Sequence, residues 1–192
     1  MNDIDIQKQN LRKIFLAKRS SLNPAEIDIL SKNIAQKFVQ IIEENKLDIK
    51  NKTFGSYIPT KYEAKPVYIE EFLVKNNCQI CYPKINFLTK TLDFIENDNR
   101  NIFLNNKIYP KILEPFGNKI SKPDNILVPL LAFDKYSQRL GMGKGFYDRT
   151  LMQLKIENPK LNTFGIAFKI QQSNQALPVS AQDYILDFVV SA

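Results

Sequence analysis

The sequence predicts an α/β layered sandwich with a mostly parallel central sheet flanked by helices, and three features carry that expectation. Strand-like and helix-like segments alternate from residue 53 onward, the order that builds parallel sheets through helical crossovers. Ile126–Phe133 is a short apolar run bounded by turn residues, as suits a central strand buried on both faces. A loop with glycines at 141, 143 and 145 follows that run and opens a helical pattern.

Taken in order, residues 3 to about 19 read as a helix, with Asp3 and Asp5 near its start and Lys13, Lys18 and Arg19 later. That charge order complements the helix dipole. A second helix begins with Asn23 as N-cap, Pro24 at the first helical position and Glu26 completing a capping box. Its apolar residues Ile27, Leu30, Ile34, Phe38 and Ile41 share one face. Residues 53–58 form a strand that stops at Pro59, and 66–75 form a helix with proline in its first turn. Strands follow at 78–82 and 91–96, then an Asn-rich connection over 97–106 and loops through Glu114–Asn118 and Ser121–Asp124. After the central strand and glycine loop come a helix to about Asn158, a strand at 163–168 and a last strand at 184–190. No repeat, low-complexity run or linker interrupts residues 1–192, so a single domain is expected.

Composition narrows the function. With 192 residues and 44% hydrophobic content, the chain can bury an ordinary core without staples. No apolar stretch approaches the roughly 20 residues that span a bilayer, and Asp3 and Asp5 stand where a signal peptide is basic. A cytoplasmic protein with no membrane partner is expected. Lys and Arg number 27 against 20 Asp and Glu, a net charge of +7 that favours anionic partners. The cations are dispersed and no aromatic-basic RNA motif occurs, so nucleic acid is not the expected partner. Histidine is absent, which excludes Ser-His-Asp and Cys-His catalysis. Cys78 and Cys81 form a lone CxxC without further zinc ligands. On a strand their thiols face opposite sides, as structural residues.

The informative segment is Phe133-Asp-Lys-Tyr-Ser-Gln-Arg-Leu-Gly-Met-Gly-Lys-Gly-Phe-Tyr-Asp-Arg149. Glycines let the backbone turn successive N–H groups toward an anion, and the following helix N-terminus adds its positive end. Arg139, Lys144 and Arg149 add full charges. The spacing is neither a Walker A loop nor a dinucleotide fingerprint. Its position after a buried strand is where open α/β sheets bind ligands.

Pro129-Leu-Leu-Ala-Phe-Asp followed by Arg-Leu-Gly-x-Gly-Lys-Gly-Phe-Tyr-Asp-Arg resembles the signature of the 5-formyltetrahydrofolate cyclo-ligase family. Weaker landmarks fall in the same order: Lys8-Gln-Asn-Leu-Arg12, Ser56-Tyr-Ile-Pro with Glu63, Tyr82-Pro-Lys, Leu92-Asp-Phe, Ile112-Leu-Glu-Pro115, Ala167–Gln171, Leu177-Pro178, and Asp183 with Asp187. Met142 and Ala64-Lys65-Pro66 depart from the residues usual in that family. The resemblance implies a Rossmann-like fold similar to sugar-phosphate isomerase and CoA-transferase folds. It also implies ATP-driven closure of 5-formyltetrahydrofolate to 5,10-methenyltetrahydrofolate. Such phosphoryl transfer runs on positioning and charge, without histidine.

Residue by residue, the resemblance makes Lys144, Tyr147 and Arg149 catalytic. It assigns nucleotide contacts to Lys8, Arg12, Arg139, Leu140, Gly141, Met142, Gly143, Lys144, Gly145, Phe146 and Tyr147. Folate contacts fall to Tyr57 as an aromatic wall, to Glu63 as acceptor of adjacent pterin N–H groups, and to Gly143 through Tyr147. Asp148 and Asp183 become the Mg²⁺ ligands. A monomer acting on a folate, polyglutamylated in the cell, is expected. A relative of the sugar-phosphate isomerases or CoA-transferases would not need Lys8 and Arg12 together with Asp148 and Asp183. Lys144→Ala is expected to impair ATP use, read as KM for ATP and kcat, while leaving the thermal midpoint near wild type; an equal loss of folding contradicts the role.

Overall fold

The computed structural model describes residues 3–96 and 102–192. Two helices, α1 (Asp3–Ser20) and α2 (Pro24–Glu44), precede the sheet. The capping box forms as expected: Asn23 Oδ1 accepts from the N–H groups of Ala25 and Glu26, and Glu26 Oε2 accepts from the Asn23 N–H. Then come β1 (Thr53–Gly55), α3 (Val67–Lys75), β2 (Gln79–Asn86) and β3 (Thr91–Glu96). Short strands β4 (Phe103–Asn105) and β5 (Leu113–Pro115) lead to β6 (Asn125–Pro129), β7 (Ala132–Phe133) and β8 (Arg139–Leu140). The chain ends with α4 (Phe146–Glu157), β9 (Asn162–Ala167), a 3-10 turn (Lys169–Gln171) and β10 (Phe188–Ser191).

The main sheet has the order β10-β9-β6-β1-β2-β3, parallel throughout except for β3, which pairs antiparallel with β2. Side chains alternate across β6 as period two demands. Leu127 joins the core under α2 and α3 with Phe38, Phe54 and Phe164, whereas Ile126 and Val128 join the core under α4 with Leu151 and Leu161. The cysteines divide the same way, Cys78 into the first core and Cys81 into the second. Burial pushes the Cys81 thiol up to about 12, which leaves it inert as a nucleophile.

Three expectations are corrected. The apolar run over 126–133 is not one strand. Regular pairing with β9 ends at Pro129, and Ala132–Phe133 pairs antiparallel with Arg139–Leu140 in a separate hairpin. The break aims the Leu130 carbonyl at the side chains of Gln171 and Arg19, and apolarity alone cannot signal it. The last strand begins only at Phe188, because the Asp187 N–H donates to the Thr163 hydroxyl instead of a ladder carbonyl while its carboxylate accepts from the Thr163 N–H and hydroxyl. Part of the Asn-rich connection over 97–106 lies outside the described residues; within the remainder, β4 pairs with β5.

From β1 the chain proceeds through α3 to β2 on one side, and from β6 through α4 to β9 on the other. Since β1 and β6 are neighbours, their carboxyl ends form a topological switch point, where such sheets open a crevice. Gly55 closes the floor beside it: a Cβ there would lie 2.6 Å from the Phe94 ring. Gly55→Ala is expected to cost about 1–3 kcal/mol through overpacking, measured as a lower urea midpoint at unchanged m-value.

Candidate functional site

The glycine loop runs from β8 into α4, and its backbone needs glycine at two positions. Gly143 has φ 92° and Gly145 φ 67°, left-handed values that side chains resist. Space is limiting as well, since a Cβ on Gly143 would sit 3.0 Å from the Arg12 guanidinium and one on Gly145 2.7 Å from Arg149 Nη1. Gly145 is the N-cap of α4, and no side chain caps that helix. The first N–H groups of α4 therefore open toward the loop, where the helix dipole favours an anion.

The chain's own cations brace this loop. Arg12 Nε donates to the Gly141 carbonyl at 2.9 Å, and Lys8, one turn earlier on α1, pairs with Asp183 at 2.5 Å. Arg149 Nε donates to Lys90 O and Nη2 to Lys144 O, tying the loop to the β2–β3 hairpin. Lys144 is exposed, with Nζ 5.3 Å from the Tyr109 ring centroid, and Tyr109 meets the Phe146 ring edge-on at 6.4 Å. Met142 also points outward.

Some expected residues stand differently. Arg139 is buried rather than facing the loop: Nη2 pairs with Asp148 at 2.6 Å and Nη1 donates to the Tyr184 carbonyl. Leu140 sends its side chain into a core with Phe15, Leu131 and Leu177, so only its backbone borders the loop. The Tyr57 ring is buried, and its hydroxyl donates to the Ala64 carbonyl at 2.6 Å. It still borders a cavity of about 290 Å³ with Ile58, Pro59, Pro66, Glu70 and Tyr82.

Glu63 stands at the switch point. Its Oε1 accepts from Arg19 Nη1 at 3.3 Å and its Oε2 from the Thr60 N–H at 2.8 Å. Tyr147, on the first turn of α4, buries its hydroxyl without a partner among the described residues. Burial, reinforced by the charge of Glu63, holds that phenol far above its ordinary range, so it remains a neutral donor.

Asp148 pairs directly with the Arg139 guanidinium, and the charge of Asp183 also favours its cationic form against burial. Among the described residues no three His, Cys, Asp or Glu side chains converge on one point, so the site lacks an all-protein metal cage. Both carboxylates are engaged by the chain's own groups, Asp148 by Arg139 and Asp183 by Lys8 and Ser180.

Sequence reasoning missed Arg19, Tyr109 and Glu70. Arg19 repeats the helical stripe of Lys8 and Arg12 and was legible in principle; the others are joined to the site only by tertiary contact.

Fold and site together define a class: a doubly wound α/β protein whose glycine loop adjoins a crevice holding a half-buried carboxylate and a buried phenol. A model of the 5-formyltetrahydrofolate cyclo-ligase family matches residues 5–192, and the chain belongs to that family. It is similar to the 5-formyltetrahydrofolate cyclo-ligase of Mycoplasma pneumoniae, 35% identical over 170 residues that cover 88% of this chain and 90% of the relative. The Mycoplasma genitalium cyclo-ligase is 32% identical, covering 96% and 98%. The solved structure of a 5,10-methenyltetrahydrofolate synthetase from Mycoplasma pneumoniae superposes with a TM-score of 0.71 at 32% identity, covering 95% of this chain and 97% of that one. That of Aquifex aeolicus gives 0.71 at 27% identity, covering 96% and 89%.

Glu70 beside the crevice supplies a pH test. Burial raises its carboxyl above the ordinary 4.5, with hydrogen bonds from Ser56 and Tyr82 opposing the shift. The unfolded chain then ionises first, so this group erodes stability as pH rises above about 4.5. Glu70→Gln is expected to match wild type near pH 4 and to gain in urea midpoint toward pH 8. A gain that shrinks with rising pH contradicts the assignment.

Proposed function

We propose that this chain cyclises 5-formyltetrahydrofolate to 5,10-methenyltetrahydrofolate in an ATP-driven reaction that releases ADP and phosphate. The observation that carries the reading is the position of Tyr147. It follows the glycine loop directly, and its buried hydroxyl, without a partner among the described residues, lies within the field of Glu63. One short segment thus joins a loop suited to phosphates with a crevice suited to a flat ring bearing N–H groups. Membership of the cyclo-ligase family supports the same assignment.

In this reading Glu63 accepts the adjacent N–H donors of the pterin. The loop backbone of Gly141, Gly143 and Gly145, with the α4 N-terminus, receives the triphosphate. Lys144, exposed on the loop, swings onto the transferring phosphoryl group, while Lys8 and Arg12 contribute charge from α1. The formyl oxygen attacks the γ-phosphorus and the bond to ADP breaks. N10 then attacks the activated formyl carbon and gives up its proton, and phosphate leaves with the former formyl oxygen. This chemistry asks chiefly for positioning and charge stabilisation. Mg²⁺ held by Asp148 and Asp183 would neutralise phosphate charge. The enzyme works in the cytoplasm as a monomer, and its net charge of +7 suits a polyglutamylated folate.

The test is purified protein with 5-formyltetrahydrofolate and Mg²⁺, with and without ATP, followed by near-ultraviolet absorbance of the methenyl product. An ATP-dependent rise that is lost in Lys144→Ala is expected. Absence of product while ATP still binds would falsify the acceptor, and absence of ATP binding would remove the role of the loop.

A further inference from the structure

Arg19 reaches the crevice from α1 without a part in the chemistry above. It lies seven residues beyond Arg12 and eleven beyond Lys8, which at 3.6 residues per turn keeps all three on one stripe. The residue is 3% exposed, and its Nε has no partner among the described residues. Nη1 reaches two acceptors at long range, Glu63 Oε1 at 3.3 Å and the Leu130 carbonyl at 3.4 Å. These acceptors stand on opposite sides of the switch point, Leu130 just after β6 and Glu63 in the loop after β1.

A guanidinium kept this far from water with a donor unsatisfied is costly. Stability alone is a weak reason for it, because apolar packing of the same volume would serve as well. Its Nη1 instead spans the Glu63 carboxylate and the Leu130 carbonyl, which ties that carboxylate to the end of β6. The Thr60 N–H fixes the other oxygen of Glu63, so Arg19 completes the clamp on that group.

Resting on the folate reading of the crevice, we infer that Arg19 is a positioning residue: it aims Glu63 at the N–H edge of the bound pterin and has no part in holding the nucleotide. The long contacts leave room to tighten when ligand arrives, as polar contacts in empty sites commonly do. Without Arg19 the Glu63 carboxylate is left uncompensated and turns toward water, so the folate loses its acceptor while the glycine loop, braced by Arg12, stays in place.

The test is calorimetric binding of 5-formyltetrahydrofolate, and separately of ATP with Mg²⁺, to wild type, Arg19→Met, Arg19→Lys, Glu63→Gln and the Arg19→Met/Glu63→Gln double variant. Circular dichroism monitors folding throughout. Arg19→Met and Glu63→Gln are each expected to weaken folate binding about tenfold or more. The double variant should be no weaker than the worse single, because independent sites would compound to about a hundredfold. Arg19→Lys should recover part of the loss, and ATP affinity should stay within about twofold of wild type. Compounded losses, ATP affinity falling in parallel with folate affinity, or unchanged folate binding in Arg19→Met each overturn the role of Arg19 while leaving the folate site standing. Wild-type protein that binds no folate overturns both. Should Arg19→Met fail to fold, the same cycle run with Arg19→Lys decides between coupling and additivity.

Discussion

Three cations on one stripe of α1 hold the carboxyl edge of the sheet together. Lys8 pairs with Asp183 near the chain's end, Arg12 takes the Gly141 carbonyl of the glycine loop, and Arg19 bridges the crevice between Glu63 and Leu130. At 1.5 Å per residue the stripe runs roughly 16 Å, long enough to reach the glycine loop and the crevice beside Glu63 from one rigid element. A helix that would otherwise sit on the surface thereby sets the distance between two halves of a site.

Fixed charges recur along this edge. Arg139 is turned inward onto Asp148, and Arg149 is bound to the carbonyls of Lys90 and Lys144. These cations shape the loop from behind, before any ligand arrives. Lys144, by contrast, is exposed above the Tyr109 ring. Fixed charges thus set the geometry of the loop, and one exposed charge stands outside that frame.

Behind this edge the sheet is conventional, and its regularity makes the edge possible. Strands buried on both faces bring the ends of β1 and β6 side by side, and their helices depart in opposite directions. The crevice follows from that divergence rather than from any special residue. What is special is the chain's departure from the sheet at Pro129, which turns the Leu130 carbonyl onto Gln171 and Arg19.

The sequence by itself determined the class of fold, the start of α2, the division of Cys78 and Cys81 between two cores, and the place of the glycine loop. These are local matters: periodicity, capping and glycine's freedom of φ are written in neighbouring residues. Tertiary structure alone decided which cations stay exposed and which are paired internally. Arg139 on β8 and Lys144 in the loop that follows it stand five residues apart, yet one is buried against Asp148 and the other is exposed. It also decided that Arg19 meets Glu63, 44 residues away, and that Ile126–Phe133 breaks into two strands. Pairings of this kind depend on how separate elements pack across the sheet's edge, and one-dimensional spacing carries no record of that.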